Sequence, residues 1–584
     1  MGWLENKWVR FLDGYTQGLG QIQDEHVRKA AQKLDVKPLQ IDLAWQQEVI
    51  DRFTESFAPE LIILTGTAGD GKTKLARDIV MHLKGSDFSE DEWNELRFIR
   101  SDNEIIVKDY SELSFNEKGL IIDELVDIYK SRQVKRRILI AVNDGILVES
   151  LDEYINHCND VEHSKLVYEI KKIIEDKVNL GFSDKQHSEL YNLINLSKLN
   201  AKTNLELIFK SILQNDGWTA CSDCTGSIDK SCPILKKRQQ LIDNSHIIEN
   251  LSNVILLLQL NNEHFTIREL LNLASNTLLA STPKHPSLQL IDITFPNETL
   301  RCKSIAKNHD QLDKVSKESS IEVGFWGMNL GINKMHDSRP YSEINKLEFG
   351  LHSSNYWDSK IKKKERQYYL PIDDINANNI NPKTLITRSR MQLYCFQRDD
   401  KKAYELQRYT SFKEYYNNIY TPLAQVSGMP KEVPSTTIED IIMALNRVFH
   451  GRFISDNFVK SNLFVPRSGL GSIGSKTIFH NYHIDINSIS IAQNITDESS
   501  LSGSRVEPFI IIRVEDEEVK LALPIELYDY LTRVKIGSPP NIANPRLYKK
   551  LLILRVRLSQ LKKTNSIQRY NVNNKNLETF TLDI

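Results

Sequence analysis

The chain has 584 residues, of which 40% are hydrophobic and 26% charged; this describes folded domains and excludes a disordered chain or a fibrous rod. Lys and Arg number 75 against 77 Asp and Glu, a net charge of -2, so contact with nucleic acid has to come from a local basic patch. Six cysteines are too few for a secreted disulfide framework, no signal-peptide pattern opens the chain and no apolar run approaches the ~20 residues of a bilayer span, so the expectation is a cytoplasmic protein with no membrane partner.

In chain order, residues 1–39 read as a helical segment. Leu61 to Leu64 form a continuous apolar run with the character of a buried parallel strand, and Leu75, Ile79 and Val80 recur at helical spacing beyond it. Between them lies Gly66, Thr67, Ala68, Gly69, Asp70, Gly71, Lys72 and Thr73, a complete Walker A pattern in the strand, loop, helix context that the motif requires. The glycines let successive N–H groups point at phosphates, the helix N-terminus adds its partial positive charge, Lys72 reaches the β/γ-phosphates, and Thr73 ligates Mg²⁺. ATP and Mg²⁺ are therefore the expected cofactors.

Hydrolysis also needs a carboxylate at the end of a strand beside the first. Residues 104–107 form an apolar strand ending at Asp109, with Glu112 close behind; Asp123 and Glu124 follow a second apolar run. Asp109 is favoured, because Ile121, Leu125, Ile128 and Arg132 continue a helical period from a Ser114 cap. Residues 137–142 make a further strand leading to Asn143, Asp144 and Gly145. Asn143 resembles the sensor 1 position of AAA+ and related ATPases, although Asn-Asp-Gly is equally a turn signal. With a strand over 191–196, four strands marked by Leu61, Ile105, Ile138 and Leu193 belong to one parallel sheet. The expected fold class is α/β, an ASCE-type P-loop NTPase core over residues 40–197, followed by helical and α+β domains.

Residues 198–285 read as a helical, lid-like region. Cys221, Cys224 and Cys232 offer three soft ligands for a structural zinc, with His246, His157 or Cys158 as candidates for the fourth; buried thiols are the competing reading. Thr266 caps a helix whose first turn carries Arg268, a candidate sensor 2 or inter-subunit arginine, and residues 281–286 (STPKHP) mark a domain boundary. Across residues 360–416, thirteen Lys or Arg exceed seven Asp or Glu and nine aromatics are interleaved, a mixture that suits phosphate neutralisation and base stacking and equally suits a partly solvated α+β domain. This stretch lies in an expected basic, aromatic domain at 286–435. The last domain, 436–584, shows strands at 509–514 and 519–523 and a helix from Pro545 capped by Asn544. Residues 467–476 read as a flexible Gly/Ser loop.

The order of these features, Gly-x-x-Gly-Asp-Gly-Lys-Thr, then Asp109-x-Ser111-Glu112, then Asn143-Asp144-Gly145, then Trp218-x-x-Cys221-x-x-Cys224 and Cys232-Pro233, resembles the DptF/DndF ATPase family. The likeness is clearest over residues 61–271. It implies an ATP-hydrolysing subunit of a bacterial DNA phosphorothioation-dependent restriction system, acting in antiviral defence on DNA that lacks the sulfur mark, with DptG-like and DptH-like partners. Carried over, Gly66, Gly71, Lys72 and Thr73 bind nucleotide and Asp109 is the Mg²⁺ residue. No nuclease signature accompanies them. The alternative is a signalling or scaffold NTPase gated by protein partners, without contact to DNA; a homo-oligomer is a further expectation.

Overall fold

A computed structural model describes residues 4–16, 24–55, 58–85, 90–180, 186–229, 232–260, 263–279, 410–424, 432–451, 457–466, 477–493, 501, 503–562, 566–571 and 575–581. They divide into two compact units. The first holds the described parts of 1–259, 263–402 and 495–504, and the second those of 260–262, 403–494 and 505–584. The expected boundary at 281–286, the Gly/Ser loop at 467–476 and all of the basic stretch before residue 410 lie outside the described residues.

The first unit is built on five strands: β1 (Leu61–Thr65), β2 (Phe98–Arg100), β3 (Glu104–Val107), β4 (Arg137–Ala141) and β5 (Asn192–Asn195), in the order β2-β3-β4-β1-β5. β3, β4, β1 and β5 run parallel, with Ile63 opposite Ile140 on one side and Leu193 on the other. All four expected strands are therefore present in one sheet. The short β2 was not foreseen and pairs antiparallel with β3. One expectation needs correcting: the strand that leads to Asp109 is not beside β1, because β4 lies between them.

Both faces of the sheet are covered, which is why β1 reads as an unbroken apolar run. Successive side chains alternate between two cores. Ile62 and Leu64 pack with Ile106 and Leu139 against Trp45, Val49 and Phe53 of α3 (Ala44–Glu55) and Leu75 and Ile79 of α4 (Lys72–Lys84). Leu61 and Ile63 pack with Ile105, Ile138 and Ile140 against α6 (Phe115–Ser131), α7 (Asp144–His157) and α8 (Val161–Leu180). α6 starts at a full capping box: Ser114 accepts from the Glu117 N–H while Glu117 accepts from the Ser114 N–H. Asp123 and Glu124 consequently sit mid-helix.

After β5, α9 (Ala201–Leu213) is capped by Asn200, whose side chain accepts from the Lys202 and Thr203 N–H groups. α11 (Pro233–Asp243), α12 (Ser245–Leu260) and α13 (Ile267–Leu279) follow. The N-terminal helix α1 (Lys7–Thr16) joins this group. Asn6 caps it by accepting from the Trp8 N–H at 2.8 Å, and donates through Nδ2 to the Gly217 carbonyl at 3.1 Å. A Cβ at position 217 would come within 2.6 Å of Trp8, so only glycine allows this approach.

In the second unit, strands β9 (Ile489–Gln493), β10 (Pro508–Val514) and β11 (Glu517–Ala522) form one antiparallel sheet. β12 (Ser566–Asn571) pairs antiparallel with β7 (Thr477–His480) and with β13 (Asn576–Thr581), and β6 (Asn462–Val465) with β8 (Tyr482–Asp485). The helix Pro545–Leu561 begins as expected, with Asn544 accepting from the Arg546 and Leu547 N–H groups. At the end of the basic stretch, Tyr415 is fully buried and donates to the Leu523 carbonyl, so this aromatic belongs to the core of the unit and is not available for stacking on a base.

Ile63 is fully buried at the centre of the parallel sheet. Ile63→Ala is expected to destabilise the first unit by about 2–5 kcal/mol, read as a lower denaturant midpoint for that unit's transition.

Candidate nucleotide site

The Walker A residues form a loop between β1 and α4. Gly66, Gly69 and Gly71 all take positive φ, at 133°, 102° and 97°, a region that side-chain-bearing residues avoid. At two of them, space is short as well. A Cβ on Gly66 would lie 2.7 Å from an Asp70 oxygen, and one on Gly69 would lie 3.2 Å from the Arg268 Cβ. Lys72 Nζ donates to the carbonyls of Gly66 and Thr67, both at 2.8 Å, which holds its ammonium against the loop.

The loop opens onto a cleft of about 1240 Å³. Gly69, Gly71, Lys72 and Thr73 line it on one side, Asp109 and Glu112 on another, and Arg268 from the first turn of α13 on a third. Asp109 caps the short helical turn Tyr110–Glu112: its Oδ1 accepts from the Ser111 N–H at 2.9 Å and the Ser111 hydroxyl at 2.5 Å. This fixes the carboxylate at the strand end. Lys108, beside it, donates to the Trp93 carbonyl at 3.1 Å and lies over the Trp93 ring.

The competing carboxylates are engaged elsewhere. Asp123 accepts from the Tyr154 hydroxyl at 2.8 Å and pairs with His163 at 3.1 Å; Glu124 pairs with Arg136 at 3.2 Å. Neither lines the cleft. Asn143 follows β4, the strand between those carrying the Walker A loop and Asp109, and stands at the N-cap of α7 without a side-chain capping hydrogen bond. It is not among the lining residues of the cleft.

Beneath the loop is an arrangement that local motif reading misses. Asp70, only 2% exposed, accepts through Oδ2 from the Thr67 N–H at 2.6 Å, the Thr67 hydroxyl at 3.1 Å and the Ser197 hydroxyl at 2.9 Å. Its Oδ1 pairs with His264 Nε2 at 3.0 Å, and the same nitrogen lies 3.0 Å from the Thr67 hydroxyl. Burial disfavours the imidazolium, but the hydrogen bond from His264 to Asp70 and the charges of Asp70 and Glu269 outweigh it and lift His264 above the ordinary imidazole range. Thr266 and Glu269 form a reciprocal capping box that sets the start of α13, and the Arg268 N–H donates to the Gly69 carbonyl at 3.3 Å. The only signals in the sequence were a carboxylate inside the Walker A loop, which demands a cation, and a histidine just ahead of the Thr266 cap.

The three clustered cysteines meet around one small apolar cavity also lined by Leu4, Asn6 and Trp218. Cys224 Sγ accepts from the Leu4 N–H at 3.5 Å and Cys221 Sγ from Asn6 Nδ2 at 3.0 Å. His246, His157 and Cys158 do not line it. Among the described residues, no group of three or more His, Cys, Asp or Glu side chains is arranged to hold a metal ion. No family model, no curated protein and no solved structure matches this chain.

Burial pushes the Cys221 and Cys232 thiols up from their ordinary range. Their alkylation by iodoacetamide, followed by peptide mass spectrometry, is expected to be slower than that of free cysteine at neutral pH and to keep rising with pH past the point where free cysteine levels off.

Proposed function

We propose that this chain is the ATP-binding and ATP-hydrolysing subunit of a bacterial phosphorothioation-dependent DNA restriction complex that acts on unmodified DNA. The observation that carries the ATPase part is the shared cleft. A glycine loop with positive φ at three positions, an ammonium and a hydroxyl face a carboxylate pair at the end of a separate strand. The strand order, with β4 between the Walker A strand and the Asp109 strand, is also that of an ASCE-type P-loop core. The antiparallel β2 departs from an all-parallel version of it. The restriction setting rests on the sequence resemblance.

The donor set fits Mg-ATP. Three flexible backbone positions cradle phosphate oxygens, and the Thr73 hydroxyl with the Asp109 carboxylate is a hard-oxygen pair suited to a cation that keeps waters and phosphate oxygens as its other ligands. Bound nucleotide supplies the phosphoanhydride to be cleaved, and the cation neutralises its charge. Lys72, now held by the Gly66 and Thr67 carbonyls, is within reach of phosphates that enter the loop and would exchange those carbonyls for them. Asp109 keeps one oxygen on Ser111 and has the other available; Glu112, on the same turn, is placed to orient a water. Asn143, at the strand end between the two, is a candidate for sensing the terminal phosphate. Partner subunits, homo-oligomer formation and DNA contact belong to this proposal. The alternative, a partner-gated NTPase without DNA contact, is favoured by one observation: Tyr415, next to the end of the basic aromatic stretch, is buried.

Lys72→Ala is expected to lower Mg²⁺-dependent ATP turnover by about 10²-fold or more. Asp109→Asn should abolish turnover while Asp123→Asn leaves it near wild type; the reverse result would remove Asp109 from the site. Turnover stimulated by plain DNA and suppressed by phosphorothioated DNA, measured with purified chain and its partners, supports the restriction reading. Turnover indifferent to every DNA and raised by partners alone supports the alternative.

A further inference from the structure

The pair beneath the loop has a consequence for nucleotide binding, and it rests on the ATP reading above. Asp70 is a buried carboxylate inside a loop whose task is to hold phosphates. It is a necessary brace: its two oxygens collect Thr67, Ser197 and His264, and so tie the loop to the end of β5 and to the segment before α13. Left unneutralised, the same charge would repel the ligand. Lys72 and Arg268 lie on the cleft side of the loop, where they serve the phosphates. On the other side, the half-buried His264 imidazole contacts Asp70 and is its cationic partner when protonated. The charged groups facing His264 are Asp70 from the loop and Glu269 from α13, both acidic, with the Ser197 backbone beside them. Glu269 is itself tied to the Thr266 N–H and hydroxyl, so Asp70 is the anion that the imidazolium neutralises directly.

We propose that Asp70 and His264 form a positioning pair that sets the charge of the phosphate loop, so that the loop takes nucleotide most strongly while His264 carries its proton. His264 acts through Asp70 and touches no ligand. The sign follows from the chemistry. At low pH the pair is neutral overall and braces the loop; as pH rises through the titration of His264, above the usual imidazole range, the carboxylate is left uncompensated and nucleotide affinity falls.

The test measures ADP and ATP binding to the full chain by calorimetry, with Mg²⁺, across about pH 6 to 9. The variants are His264→Gln, which keeps a donor but cannot carry charge, Asp70→Asn, and the two combined. Wild type is expected to lose about tenfold in affinity towards the alkaline end beyond whatever the nucleotide's own titration contributes. His264→Gln should be weak throughout, with that step absent. The double variant, with both charges gone, should recover affinity over His264→Gln and stay flat, and Asp70→Asn should also lose the step. Circular dichroism checks folding, and Asp70→Asn gives the same reading if His264→Gln fails to fold. A His264→Gln profile that superimposes on wild type, or a double variant no better than His264→Gln, overturns the pair while leaving the ATP site standing. Absence of nucleotide binding by wild type at every pH overturns the ATP reading and the pair together.

Discussion

A carboxylate buried beneath the glycine loop is the constraint on which the geometry of that loop depends. Taking Asp70 out of water is costly unless its oxygens are paired and hydrogen-bonded. The fold meets the cost by bringing in donors from three places: the loop's own Thr67, Ser197 just past β5, and His264 ahead of α13. Each donor fixes the position of an element relative to the loop. Ser197 is presented because Asn195 accepts from its N–H at 2.9 Å, which forms a tight turn at the end of β5. His264 and Arg268 are presented because the Thr266 and Glu269 box starts α13 at a defined residue. The loop geometry therefore depends on contacts far along the chain as much as on its own glycines.

The sheet supplies the rigid part of the site. Four parallel strands in register end on one edge: Leu64 stands opposite Ala141 and Thr65 opposite Asn195, while Val107 stands opposite Ile140. The residues that follow each strand, Gly66, Asp109, Asn143 and Ser197, are thereby delivered to one side of the molecule from four separate segments. Such edges are where open α/β sheets gather ligands. Inserting β4 between β1 and β3 separates the loop from Asp109 by one strand, and both line the cleft.

Legibility from sequence tracks how local each feature is. The Walker A loop is a strict spacing within eight residues, and β1 and β4 are continuous apolar runs, so all were readable. Helical periodicity from Ser114 correctly moved Asp123 and Glu124 off a strand end. The adjacency of β1 to the Asp109 strand was misread because order within a sheet is set by crossover connections, which leave no periodic trace. β2, three residues long, gives no alternation to detect. The contact of His264 with Asp70 was invisible for a third reason: it is a meeting of residues distant in sequence, and neither partner alone departs from ordinary composition. The convergence of the three cysteines was implied by their spacing, but the docking of Asn6 and Leu4 onto their sulfurs was not.

The two capping boxes show how a local rule acquires a distant effect. In α6, Ser114 and Glu117 satisfy N–H groups at the start of the helix, at the surface. In α13 the same chemistry occurs at the edge of the site, where Glu269 is committed to Thr266 and Arg268 is set against Gly69. The cap gives Glu269 two donors of its own, the Thr266 N–H and hydroxyl. Helix initiation and the placement of Arg268 beside the loop are thus one arrangement: the box that starts α13 also sets the Arg268 N–H against the Gly69 carbonyl.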